Sequence, residues 1–144
     1  MKNPSLWSAG ALLALLTLTG TALASPAEIQ SLVVLHRQLE DAAASGNIDR
    51  FFEGNQAFHA RLQEITGNRW LQHCIEDLRK VVKLSRHHSL FSEGRLEQSL
   101  GEHRHILDAF LARDPQAAEQ RMREHIAGGR SALARIAAAR EQAA

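Results

Sequence analysis

Tyrosine is absent from this 144-residue chain, proline occurs three times and cysteine once. A lone cysteine, Cys74, excludes an internal disulfide and any cysteine-based zinc motif. Few β-branched runs and few turn-forming prolines argue against a sheet. The net charge of +1 leaves no excess of positive charge with which to coat nucleic acid. What remains is rich in Ala, Leu, Glu, Gln and Arg, the composition of helices, and the length suits one domain with a real core.

Charge is nearly missing from the first 24 residues as well, where Lys2 is the one charged side chain before Glu28. A positive start, an apolar run over 9–23 and Ala22-x-Ala24 make the pattern of a secretory signal peptide over 1–24. On that reading the protein is periplasmic or secreted, with a domain over 25–144; the alternative is an apolar first helix of a cytoplasmic protein. The run is too short for a stable membrane span. Loss of a bundle helix would leave apolar surface for a second copy to cover, so a homodimer is an expectation here.

Punctuation divides the rest into five helices. Ser25-Pro26-Ala27-Glu28 has the form of a capping box with proline at the first helical position. Ile29, Leu32, Val33 and Leu39 recur at helical spacing up to Gly46. Asn47 starts a second helix carrying Phe51, Asn55, Phe58, His59, Leu62 and Ile65, which stops at Gly67. Asn68 starts a third, with Leu71, Cys74, Ile75, Leu78 and Ser85 on one side. A fourth runs from about Arg95 to Ala112, and Asp114-Pro115 opens the last. The fold expected is all-α, an antiparallel helical bundle.

Of eight histidines, three fall inside apolar stripes on three different helices: His59, His103 and His125. Asn55 precedes His59 by four residues, so both can reach one ion from one face. Converging buried imidazoles need satisfaction, and a divalent ion such as zinc or nickel provides it, with a position left open for a ligand. The other reading makes them ordinary core histidines. His36 lies near the apolar side of its helix, while His73, His87, His88 and His105 read as solvated or supporting. Arg86 is the candidate partner for a ligand carboxylate.

The segments Asn55-Gln-Ala-Phe-His59, Gly67-Asn68, Glu102-His103 with Ile106-Leu107, Arg113-Asp114 and Met122-Arg-Glu-His125-Ile126 together resemble the FCD domain. This is the C-terminal effector-sensing domain of FadR-subfamily GntR transcriptional regulators. The resemblance covers about Ala27 to Leu133. It implies a helical bundle around a cavity, a metal on Asn55, His59, His103 and His125, and a small organic acid as effector. It implies no enzyme activity and, without the family's winged helix, no direct nucleic-acid binding. Asn55 departs from the aspartate common at its position. Two other functions remain open at this point: an exported metal- or carboxylate-binding protein, and a His₃ metal hydrolase with Glu102 or Glu124 as base. Residues adjacent on a helix diverge by about 100°, so neither glutamate is well aimed from beside its histidine.

Overall fold

The computed structural model describes residues 20–142 and contains no strand among them. Five helices follow one another: α1 (Pro26–Ala44), α2 (Ile48–Ile65), α3 (Arg69–Ser89), α4 (Arg95–Leu111) and α5 (Pro115–Gln142). The expected all-α bundle is the fold. Each start has a local cause. Ser25 Oγ accepts from Glu28 N while Glu28 Oε2 accepts from Ser25 N at 2.8 Å, closing the capping box. Asn47 Oδ1 accepts from Arg50 N, Asn68 Oδ1 from Leu71 N, and Asp114 Oδ1 from Ala117 N. Gly46 and Gly67 follow α1 and α2 at φ 63° and 65°, the left-handed conformation that a Cβ would strain.

The core is continuous from α1 to α5. Leu32, Leu39, Phe51, Phe58, Ile106, Phe110 and Met122 are fully enclosed. The closest packing joins α1 to α2 and α4 to α5, with α1 also against α4. Helix α3 packs more sparingly, on α2 and α5. Ile75 is its one fully buried apolar side chain among those described, with Leu71 and Leu78 half-buried. Cys74 and Ser85, expected on its inner side, face solvent instead. The helix carries a second apolar stripe through Trp70, Val81 and Leu84, and that one is exposed.

Upstream of α1, residues 20–23 form a helical turn, and Thr21 and Ala24 are buried. A Cβ at Gly20 would touch Leu62, Thr66 and Phe110, so this turn sits on α2 and α4. Arg113 donates to the Ala24 carbonyl. The leader expected over 1–24 falls mainly on residues 1–19, outside the described residues. No helix among the described residues is long and apolar enough to cross a membrane.

Candidate metal centre

The packing of α2, α4 and α5 brings His59, His103 and His125 together in the interior, all but sealed from solvent. His59 Nε2 lies 3.2 Å from His125 Nε2 and 3.3 Å from His103 Nε2. One ligand atom from each of the three lies within 4.8 Å of the other two.

The outer ring nitrogens fix the protons. His103 Nδ1 is 2.6 Å from the Ser99 carbonyl, which can only accept, so Nδ1 carries the hydrogen. His125 Nδ1 donates to Glu102 Oε2 at 2.8 Å. Both neutral rings therefore turn an Nε2 lone pair inward. His59 cannot satisfy them: a proton on its Nε2 serves one neighbour and leaves the other bare, and its Nδ1 is buried without a partner. Protonation is no remedy. Burial holds all three imidazoles well below their ordinary pKa, helped by Arg79 at His59, by His125 at His103 and by Arg86 and Arg95 at His125. A tetrahedral ion with bonds of about 2.0–2.1 Å separates its ligand atoms by about 3.3 Å, which the Nε2 spacings match. The donor set fits a divalent cation.

Glu102 is the supporting residue the sequence did not reveal. Besides His125 it takes Arg95 Nη1 and Nη2 at 3.2 and 3.1 Å, and Gln98 Nε2 at 2.9 Å. A carboxylate behind a ligating imidazole fixes ring and tautomer and raises its basicity. Its room comes from Gly128 on α5, where a Cβ would overlap Glu102 Oε1. Thus engaged, Glu102 is not the free base that a hydrolase needs.

Asn55 is buried on α2, one turn before His59. Arg86 is half-buried, and burial together with Arg95 pushes it down to about 10. No carboxylate forms an ion pair with it among the described residues. Arg79, also missed in the sequence, is pushed down to about 9 by burial and by Arg86, and its Nη1 is buried with no partner. Its Nη2 donates to Gln56. Arg79 lines an open cavity of about 240 Å³ between α2 and α3, with Gln56, Gln63, Lys80 and Lys83. His36 is a core residue against Phe58, and His87 lies 2.7 Å from Asp49 on the surface.

A family model described as the FCD domain matches residues 10–128. The chain belongs to the FCD family. It is 29% identical over 103 residues to an uncharacterized HTH-type transcriptional regulator, YdhC, of Bacillus subtilis (strain 168), covering 69% of this chain and 46% of that protein. It thus spans about half the length of this curated relative. E. coli McbR/YncC has the same fold, with a TM-score of 0.80 at 17% identity over 88% of this chain and 64% of that one. Streptococcus agalactiae GntR has a TM-score of 0.67 at 23% identity, over 91% of this chain and 62% of its own. The protein is a GntR/FadR-like effector-sensing (FCD) domain, with no strand of a winged-helix module among its described residues.

Kinship with GntR/FadR-type transcriptional regulators overturns the periplasmic or secreted location expected from the leader. The physical reason for the error is that an apolar stretch has the same composition whether it is a leader or a core helix. Here the family match begins at residue 10, within that stretch, and its end at Thr21 and Ala24 is built into the bundle.

Proposed function

We propose that this FCD domain holds a divalent transition ion, zinc or nickel, on His59, His103 and His125, with Asn55 as a weak oxygen donor, and senses a small organic acid beside it. The observation that carries this reading is the convergence of three Nε2 atoms that no arrangement of protons satisfies. The ion supplies positive charge and an open position for a ligand oxygen. Arg86, which makes no ion pair among the described residues and has only the more distant Glu102 carboxylate acting in its favour, and the unpartnered Nη1 of Arg79 add two half-buried guanidiniums that an anion would help to satisfy. Arg86 takes the ligand carboxylate through its planar fork. We further propose that the apolar segment before residue 20 stays with the domain as its first helix, and that effector binding is read by a DNA-binding module in the complete regulator.

Elemental analysis of protein purified without chelator or histidine tag tests the metal reading. One ion per chain is expected, lost in His59→Ala, His103→Ala and His125→Ala and kept in His88→Ala. Equal metal content in all four variants sinks it. For the effector, citrate and other di- and tricarboxylates should raise the melting temperature of the metal-loaded domain. Arg86→Gln should remove that rise without removing the metal; an unchanged rise would take Arg86 out of the site.

A further inference from the structure

His59, His103 and His125 are at most 3% exposed, so whatever meets them must pass a wall of the bundle that gives way. The walls are unequal. Helices α1, α2, α4 and α5 close on one another through Leu32, Phe51, Phe58, Phe110 and Met122, all fully enclosed. Between α2 and α3 the packing is thinner, and there the cavity of about 240 Å³ opens to the surface. Its α2 side is lined by Gln56 and Ala60, each one position after the proposed donors Asn55 and His59. Its α3 side is lined by Arg79, one turn after the buried Ile75. Arg79 is also felt inside, for no other charge lowers the His59 pKa as much. One side chain thus borders both the cavity and the imidazoles.

We propose that this cavity is the way in for an anionic effector, and that Arg79, latched to Gln56, is the door. The proposal rests on the reading that the histidines are where the effector goes. The latch is slight. Arg79 Nη2 donates to Gln56 Oε1 while Nη1 is buried with no partner, so one hydrogen bond holds the side chain in place. Burial and Arg86 push Arg79 down to about 9, and outward rotation into the cavity rehydrates it. The group least comfortable in the wall is the group that moves. Charge at the mouth favours an anion. Lys80 and Lys83 line it, against Glu76 as the single acid among the lining residues. Asp77 engages Lys80 at 3.0 Å, whereas Lys83 forms no ion pair among the described residues. An anion drawn in by Lys83 then gives Arg79 Nη1 the partner it lacks.

Histidine alkylation of the full chain reads access directly, with bromoacetate as the anionic probe and bromoacetamide as the neutral one. Chelator is present throughout, so the rates do not depend on whether an ion binds, and metal content measured separately decides that reading. Mass spectrometry compares His59 with the exposed His73 and His88, and with His36, buried on α1. In wild type His59 should react far more slowly than His73 and His88. Gln56→Ala should speed it about tenfold, the worth of one hydrogen bond removed from the closed form, and Arg79→Ala by more. Loss of the arginine charge attracts bromoacetate less, so acceleration in that variant reports opening. Ala60→Trp, which fills the cavity from an exposed position, should slow His59 in both backgrounds. Lys83→Glu should lower the bromoacetate rate at His59 and leave the bromoacetamide rate unchanged. A His59 rate indifferent to Gln56→Ala, Arg79→Ala and Ala60→Trp overturns the route. Acceleration of His36 in step with His59 also overturns it, because the whole bundle would then have loosened. An equal response of the two probes to Lys83→Glu overturns the preference for an anion.

Discussion

Glu102 on α4 accepts the Nδ1 hydrogen of His125 on α5 at 2.8 Å, and the same oxygen takes both terminal nitrogens of Arg95. One carboxylate thus ties a buried guanidinium to the ring of a candidate ligand. Burial raises the Glu102 pKa from its ordinary value, and the Arg95 guanidinium opposes that rise. Glu102→Gln should weaken metal affinity by about 10–100-fold, the usual cost of removing a carboxylate behind a ligating histidine. Competition with a chromogenic chelator measures it. Unchanged affinity would reduce Glu102 to a packing residue.

Gly128 links stability and metal binding through one carboxylate. Alanine is a better helix former than glycine by about 1 kcal/mol, so Gly128→Ala should by itself firm α5. Its Cβ, however, would displace the Glu102 carboxylate from Arg95 and His125. A lower melting temperature of the metal-free protein is expected, since stripping the buried Arg95 of its carboxylate costs more than the propensity returns, together with clearly weaker metal binding. Equal metal affinity in Gly128→Ala and wild type would mean that Glu102 has room elsewhere.

Acid should unfold the metal-free domain early. His59, His103 and His125 have folded-state pKa values well below the unfolded value of about 6.5, so between the two the unfolded chain binds more protons. Their stabilising contribution is present above about pH 6.5 and is lost as the pH falls toward the folded values. The slope is at most about 1.4 kcal/mol per pH unit for each histidine. Urea titrations with chelator at pH 7.5, 6.5 and 5.5 should give falling midpoints, with the steeper loss in the second step. A midpoint that rises on acidification contradicts the burial of neutral rings.

Much of the bundle was legible because its signals are local. Ser25-Pro26, Asn47, Asn68 and Asp114-Pro115 each cap the helix they precede, and such chemistry needs no tertiary knowledge. His59, His103 and His125 stood out because each sits mid-stripe between apolar residues that a core must bury. Helix α3 was misread at Cys74 and Ser85 because it has two apolar stripes, and periodicity does not say which one meets the core. Glu102, Arg95 and Arg79 escaped for a different reason. Their roles depend on contacts across helices that sequence spacing does not encode. Glu102 reaches His125 because α4 and α5 pack closely over a glycine, not because it adjoins His103.

The neutral donor beside His59 makes a graded test of the proposed ion. Asn55 is buried one turn from His59, and aspartate there would add a charged oxygen ligand. Asn55→Asp should tighten metal binding at least about tenfold while destabilising the metal-free domain, since a carboxylate buried without a cation pays for its desolvation. Isothermal titration and melting curves with and without metal read the two effects. Weaker binding by the variant would place Asn55 outside the coordination sphere.

The N-terminal junction gives the last test, because Ala24 is held by the bundle. Thr21 and Ala24 are buried, and Arg113, a non-glycine residue at φ 55°, donates to the Ala24 carbonyl. A chain that starts at Ser25 loses this acceptor and the turn that packs on Leu62, Thr66 and Phe110. It also puts a free ammonium at the positive end of α1, an unfavourable placement of several tenths of a kcal/mol to about 1 kcal/mol. The capping box does not offset this, since it is present in both forms. Expressed side by side without a leader, the chain from Ser25 should melt well below the full chain. The fall should exceed the several degrees that about 1 kcal/mol from the ammonium produces in a domain of this size. Loss of the buried turn is the larger of the two effects, so acetylating the new N-terminus should restore only a small part of the difference. Equal melting temperatures would show that the segment ending at Ala24 is dispensable to the bundle and would remove the ground for treating it as a helix of the domain.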